Sequence, residues 1–162
     1  NFTKEDWIKQ LELQPHPEGG YFKQMYTGET GTIKGKEEKK LYTSIYFLLD
    51  TQSPSHFHRL TSDEIWYFHT GSSLSVHMLT PEGTYEKVAL GTSLQHGEQL
   101  QFVVPKGTIF GSTVEKGYSL VSCMVAPGFE FSDFELFTQK QLLTKYPDQE
   151  DIIRRLAYKT LL

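Results

Sequence analysis

Residues 55–71 read SHFHRLTSDEIWYFHTG, with two histidines two positions apart and a glutamate six positions after the second. Side chains alternate between the two faces of a strand, so His56 and His58 are expected to project side by side. The polar link at 60–62 returns the chain antiparallel and brings Glu64 toward both imidazoles. Two histidines and one carboxylate suit Mn, Fe, Ni or Zn. The spacing predicts one divalent metal on His56, His58 and Glu64; a metal-free pocket is the equally open alternative.

Short β signals surround this stretch on both sides. Turn residues separate predicted strands at 41–49, 55–59, 63–70, 74–79, 85–90, 100–104, 107–113, 118–125 and 129–137. Many short strands at this spacing are typical of an antiparallel sandwich or barrel. Helical patterns occupy both ends, over residues 3–13 and 138–160. The stretch 28–40, rich in Gly, Thr, Lys and Glu, is expected to be a mobile loop between two strands.

Composition bounds the classes of function. The 162 residues fit one domain, and a net charge of -4 leaves no basic field for nucleic acid. No apolar run approaches the roughly 20 residues that a membrane span needs. The single cysteine, Cys123, excludes an intramolecular disulfide, and together with an N-terminus without signal-peptide character it favours a cytoplasmic protein. We therefore expect a small-molecule ligand rather than nucleic acid or a membrane.

Two motifs resemble those of the cupin superfamily. The first motif is His-x-His followed, after a short gap, by a glutamate and a glycine, here Glu64 and Gly71. The second motif is Pro-x-Gly-x-x-His; it corresponds to residues 105–110, in which Phe110 replaces the final histidine. Residues 13–22, LQPHPEGGYF, and 125–136, VAPGFEFSDFEL, are similar to segments of the cupin 5 family of uncharacterised proteins. The resemblance implies a mainly β fold, the cupin double-stranded β-helix or jelly-roll barrel. It also implies a single domain over residues 1–162, with a barrel core at about 20–137.

The resemblance places the ligand or metal site inside the barrel. His58 and Glu64 are expected to be catalytic, with the imidazole as general base where no metal is bound. Four further residues are expected to contact the ligand: Tyr46, Trp66, Gln101 and Phe110. An isomerase- or epimerase-like enzyme, or a metal-dependent one, acting on a carbohydrate- or nucleotide-like substrate is the first hypothesis. A non-catalytic protein that binds or senses a small ligand is the second.

Three other features carry expectations. The turn at 16–21, HPEGGY, is expected to be a tight strand entry, or alternatively the edge of a lid with Glu18 or His16 near the barrel mouth. His77 alternates against apolar neighbours and is expected on the solvent face. The alternating aromatic and acidic residues 129–136 predict an edge or dimer-contact strand, and with the resemblance they predict a homodimer.

Overall fold

The computed structural model describes residues 1–33 and 36–161, in which short strands lie between helical ends. The strands are β1 (Gln14–Pro15), β2 (Tyr21–Thr27), β3 (Thr30–Ile33), β4 (Lys36–Lys40), β5 (Thr43–Asp50), β6 (Ser55–Arg59), β7 (Asp63–Gly71), β8 (Leu74–Leu79), β9 (Tyr85–Leu90), β10 (Gln101–Val104), β11 (Ile109–Val114), β12 (Tyr118–Ala126) and β13 (Glu135–Leu136). The α-helices are α1 (Lys4–Gln10), α2 (Gln139–Lys145) and α3 (Glu150–Leu156), and 3-10 turns lie at Leu94–His96, Phe131–Asp133 and Pro147–Gln149.

Two antiparallel sheets enclose the core. One has the strand order β1-β2-β5-β12-β7-β10 and the other β13-β6-β11-β8-β9. Because strands distant in sequence pair, such as β5 with β12 and β6 with β11, the order is that of the jelly roll that the resemblance implies. Alternate side chains point inward, including Phe47 and Leu49 on β5 and Val121 and Cys123 on β12.

Helices cover the outer faces of both sheets. At the start of α1, the hydroxyl of Thr3 accepts a hydrogen bond from the amide of Asp6, whose carboxylate accepts one from the amide of Thr3. This helix packs on the outer face of the six-stranded sheet, around Leu48. α2 and α3 pack on the other sheet, where Ile153 of α3 lies in one apolar cluster with Phe57 of β6. No helix in the described ranges is long and apolar enough to cross a membrane.

Two segments differ from the sequence-based expectations. Residues 28–40, expected to be a loop, contain the paired strands β3 and β4, with residues 34 and 35 outside the described part. Residues 129–137, predicted as one strand, contain a 3-10 turn and the two-residue β13. The rings of Phe129 and Phe131 lie near the ring of His16 instead of alternating along a strand. The homodimer therefore stays a prediction that rests on the resemblance.

The expectation that His77 is exposed to solvent was wrong, because His77 is only 5% exposed. Its side chain points away from the barrel interior, but neighbours on both adjacent strands cover it. Nδ1 lies 2.7 Å from the hydroxyl of Tyr85 on β9, and Nε2 lies 2.7 Å from that of Thr113 on β11. Burial lowers the pKa of His77 to about 4. The residue is a satisfied structural histidine of the outer sheet face.

Candidate functional site

The turn between β1 and β2 carries Glu18 into the barrel. Gly19 has a φ of +107°, a conformation that residues with a Cβ rarely adopt. A Cβ at this position would lie 1.9 Å from the carbonyl oxygen of Pro54, so the turn packs directly against the start of β6. The amide of His56 donates to the carbonyl oxygen of Glu18 at 2.6 Å. The glycine is thus required for the close approach that positions Glu18.

The carboxyl group of Glu18 is the centre of a buried polar cluster. The hydroxyl of Ser55 donates to its Oε2, which lies 3.5 Å from Nε2 of His58. Its Oε1 lies 3.4 Å from Nδ1 of His16, and that same nitrogen accepts the amide of Glu18 at 3.1 Å. Glu18, Ser55 and His58 are all buried. One carboxyl therefore connects the opening turn to strand β6.

A β-bulge explains why Ser55 and His58 both reach Glu18. Opposite β11, Phe110 pairs with His58 and Ser112 with Ser55, so two steps along β11 correspond to three along β6. The extra residue breaks the simple alternation on which the side-by-side expectation for the histidines depended. The ring of His56 stacks on Tyr158, with centroids 3.8 Å apart, and its Nδ1 donates to the carbonyl oxygen of Glu18. His56 lines a surface cleft rather than the interior.

His58 is held as a neutral imidazole. Its Nδ1 donates to the carbonyl oxygen of His56 at 2.7 Å, which leaves Nε2 as the unprotonated nitrogen facing Glu18. Burial lowers the pKa of His58 to about 4. Burial also lowers the pKa of His16. The site therefore presents unprotonated ring nitrogens to the Glu18 carboxyl.

The second carboxyl of the site belongs to Glu64, near the start of β7. The indole Nε1 of Trp66 donates to its Oε1 at 3.0 Å. Burial, and next the charge of Glu18, raise the pKa of Glu64 to about 8. Burial also raises the pKa of Glu18, but His16 and the Ser55 hydroxyl act in the opposite direction. The two carboxyls therefore have different environments within one site.

Glu18 and Glu64 line a small interior pocket with a volume of about 50 Å³. That is room for about two water molecules or a few non-hydrogen atoms of a ligand. Phe22, Phe129 and Phe131 supply aromatic walls. None of the side chains that line it, in the described part of the chain, is a lysine or an arginine. The chemistry of the pocket is that of two carboxyls and an imidazole in an apolar enclosure.

Two of the expected ligand-binding residues lie behind the pocket, not on its wall. Trp66 is fully buried and orients Glu64, as described above. Phe110 occupies the place of the final motif histidine, and its ring centroid lies 4.2 Å from that of His58. Glu18 stands between His58 and the pocket, which His58 does not itself line. These three side chains support the carboxyls from the core.

The structure does not bring Tyr46 and Gln101 to the pocket. On β5, Ile45 lines the pocket, so Tyr46 points to the opposite face, where it packs in the cluster beneath α1. Gln101 is exposed on the edge strand β10, while the next residue, Phe102, packs on the core. Both differences follow from strand parity, which an apolar run such as TSIYFLLD at 43–50 leaves undetermined.

Sequence reasoning missed Ser55, and it gave Glu18 and His16 only as alternatives at the edge of a lid. The signal available was the HPEGGY turn, in which two glycines next to a histidine and a glutamate indicated a close backbone approach. That turn was expected mainly as a strand entry, with a role at the barrel mouth as the alternative. Nothing local in the sequence shows that Glu18 crosses to β6, because the contact joins residues 37 positions apart.

The predicted metal ligands do not meet as a set of three. His58 contacts Glu18, Glu64 lines the pocket, and His56 faces Tyr158. Within residues 1–33 and 36–161, no three His, Cys, Asp or Glu side chains are grouped closely enough to hold a metal ion. A site on His56, His58 and Glu64 therefore does not fit this arrangement, and the metal stays a prediction.

The model of one protein family, the Cupin superfamily (DUF985), matches residues 5–137. The chain belongs to this family. This cupin is similar to the uncharacterized protein YML079W of Saccharomyces cerevisiae, with 32% identity over 144 residues. The alignment covers 78% of this chain and 71% of the yeast protein. Both the predicted family and the predicted jelly-roll fold are confirmed.

Solved structures share the fold of this cupin. Protein SO0799 of Shewanella oneidensis is 48% identical, with a TM-score of 0.93 over 99% of this chain and 100% of that one. A hypothetical protein from Leishmania major is 43% identical, with a TM-score of 0.91 over 97% and 99% of the two chains. A mutant of Bacillus subtilis oxalate decarboxylase is 14% identical, with a TM-score of 0.59, and 38% of its chain is covered. That last likeness concerns the fold alone.

Proposed function

We propose that this cupin binds a small organic molecule in the Glu18–Glu64 pocket and transfers protons to and from it. One observation carries the proposal: two buried carboxyls in different environments line the same apolar cavity. Pairs of titratable groups whose surroundings push their pKa values apart are typical of acid–base sites. The reaction class is that of an isomerase or epimerase, because a proton removed at one atom and returned at another leaves the ligand's composition unchanged.

Each carboxyl has a distinct role in this proposal. Glu64, whose pKa is about 8, holds its proton at neutral pH and donates it. Glu18 accepts the proton that the ligand releases, because the Ser55 hydroxyl donates a hydrogen bond to its Oε2 and so favours the ionised carboxyl. His58 touches Glu18 but not the pocket, so it acts as a positioning residue with its unprotonated Nε2 toward the carboxyl. Glu18 thereby replaces His58 as the proposed base.

The ligand proposed is carbohydrate-like in carrying hydroxyl or carbonyl groups. Carboxyl oxygens and an imidazole can hydrogen-bond both kinds of group. A nucleotide is less well matched, because binding of phosphates favours arginine, lysine or helix N-termini, and no basic side chain lines the described pocket. The cavity volume of about 50 Å³ restricts the bound portion to a few non-hydrogen atoms.

Proton transfer is tested without knowing the natural ligand. Small carbonyl, hydroxyl and amino compounds are incubated with the protein in D₂O, and loss of carbon-bound hydrogen is followed by ¹H NMR. We expect exchange in at least one compound, lost in Glu18→Gln and Glu64→Gln and kept in Glu86→Gln, a change at an exposed carboxyl on β9. A compound that binds without exchange would contradict proton transfer and leave the non-catalytic binding protein, the alternative function.

A metal-dependent cupin is the second candidate. Mn(II) centres are named for the oxalate decarboxylase of Bacillus subtilis, and carboxylates with imidazole, the donors of this pocket, suit Mn²⁺. Glu18 and Glu64 would hold such an ion, which would supply Lewis-acid polarisation of a ligand oxygen. Elemental analysis of protein purified without chelator tests it. Stoichiometric metal in the wild type, lost in Glu18→Gln and Glu64→Gln, would support this candidate.

A further inference from the structure

The charges around the pocket have one sign. Glu18 and Glu64 both line it, and no lysine or arginine is among its described lining residues. Lys39 lies near the rim segment that contains Phe131, but its ammonium group is paired with Asp133. The described side chains of the pocket therefore include no lysine or arginine that would balance the charge of ionised carboxyls.

Glu64 also has an oxygen available to a ligand. The residue is 8% exposed, and Oε1 accepts the indole N–H of Trp66. Among the described residues, Oε2 accepts no hydrogen bond, although its carboxyl lines the cavity. The carboxyl lines the cavity, where a bound group can reach this oxygen. A ligand in the cavity can hydrogen-bond to this atom and donates to it once the carboxyl is ionised.

The remaining walls favour a cation over a neutral donor. Phe22, Phe129 and Phe131 line the same cavity, and the last two rings lie 5.0 Å apart at 83°. Aromatic faces attract a positive charge through their quadrupole, most strongly where water is excluded. An anion would meet two carboxyls, which disfavour it.

We propose that the pocket recognises a small organic cation, an ammonium or amidinium group with a short apolar portion, held by the Glu18 and Glu64 carboxyls against the phenylalanine rings. The inference rests on the proposed function in that the pocket binds a small ligand, and it adds a cationic nitrogen to the hydroxyl or carbonyl groups proposed for that ligand. Binding of the cation releases the proton of Glu64 to solvent, so the nitrogen donates hydrogen bonds to two ionised carboxyls, while the apolar portion contacts the rings. A volume of about 50 Å³ limits the ligand to a compact amine or amidine.

The two tryptophans of the chain supply a reporter and an internal control. The indole N–H of Trp66 donates to Glu64, whereas that of Trp7 donates to the hydroxyl of Tyr118 on the far side of the sheet. Acetamidinium, acetamide and acetate share one planar shape and differ in charge. Each is titrated up to about 100 mM, because a probe of so few atoms binds weakly, while the ¹H–¹⁵N indole signals are recorded.

We expect acetamidinium to shift the Trp66 signal saturably, at a concentration at least tenfold below that for acetamide, with no effect of acetate and an unmoved Trp7 signal. In Glu64→Gln the tenfold preference is lost, and in Glu86→Gln it is kept. The Trp7 signal shows that each variant is folded.

Three results with the organic probes would overturn the inference. They are equal or tighter binding of acetamide, binding of acetate, or no shift with acetamidinium. Zn²⁺ gives one more outcome that overturns the inference. If Zn²⁺ shifts the Trp66 signal at a lower concentration than acetamidinium does, and prevents acetamidinium from binding, the carboxyls bind a metal instead. Binding of acetamide alone leaves the proposed function intact, because the pocket then still takes a small ligand. If no organic probe shifts the Trp66 signal and no compound binds in the D₂O screen, the proposed function fails as well.

Discussion

Replacing Glu64 by glutamine is expected to remove a loss of stability that the wild-type protein suffers between pH 6.5 and 8. Burial and the charge of Glu18 raise the pKa of Glu64 from 4.5 to about 8. In this window the folded protein holds a proton that the unfolded chain has released. The free energy of unfolding therefore falls as the pH rises, until the folded group has also ionised. Glutamine has the same shape and does not ionise.

The magnitude follows from the shift. At 1.36 kcal/mol per pKa unit, the stability linked to Glu64 amounts to about 5 kcal/mol, present below pH 4.5 and lost by pH 8. His58 and His77 act in the opposite direction, since a pKa of about 4 in place of 6.5 makes the folded state gain stability as pH rises from 4 to 6.5. Above pH 6.5 that gain is complete. The loss from Glu64 between pH 6.5 and 8 is then about 2 kcal/mol.

Urea denaturation at pH 6.5 and pH 8 measures this difference. Wild type, Glu64→Gln and the exposed-carboxyl control Glu86→Gln are compared at fixed ionic strength, with a chelator so that divalent ions do not alter the proton balance. We expect wild type and Glu86→Gln to lose about 2 kcal/mol more than Glu64→Gln on going to pH 8. An equal loss in all three proteins would refute the assignment of a proton to Glu64.

Two further predictions concern the turn that carries Glu18 and the histidine on the outer sheet face. Gly19→Ala is expected to lower the free energy of unfolding by about 2 kcal/mol more than Gly83→Ala. Both glycines have positive φ, but only a Cβ at Gly19 meets a backbone atom, the Pro54 oxygen, while nothing lies within 4 Å at Gly83; equal losses in urea denaturation would contradict this reasoning. Tyr85→Phe removes the hydroxyl bonded to Nδ1 of His77 and is expected to cost about 1–3 kcal/mol in thermal or urea denaturation. No measurable change would show that water replaces the hydroxyl at this buried nitrogen.

The strand pattern and the motifs were enough to predict the architecture. Alternating apolar residues with turn signals at regular spacing can bury their surface only as packed antiparallel sheets, which is why residues 41–125 were predicted nearly strand for strand. Thr3 and Asp6 specified the first helix through local hydrogen bonds between close neighbours. The departure at 28–40 occurs where glycines permit more than one local geometry, and at 129–137 the contacts of Phe129 and Phe131 with His16 override the alternating pattern.

By itself, the sequence determined the family, the jelly roll and the presence of Glu64 at the barrel interior, because these depend on periodicity and short motifs. Only the tertiary structure decided which groups meet there. A one-residue bulge in β6 aims Ser55 and His58 at Glu18 and leaves His56 against Tyr158. Register and bulges arise from pairing between distant strands, and burial sets the protonation of the carboxyls, so neither is encoded in any local run of residues.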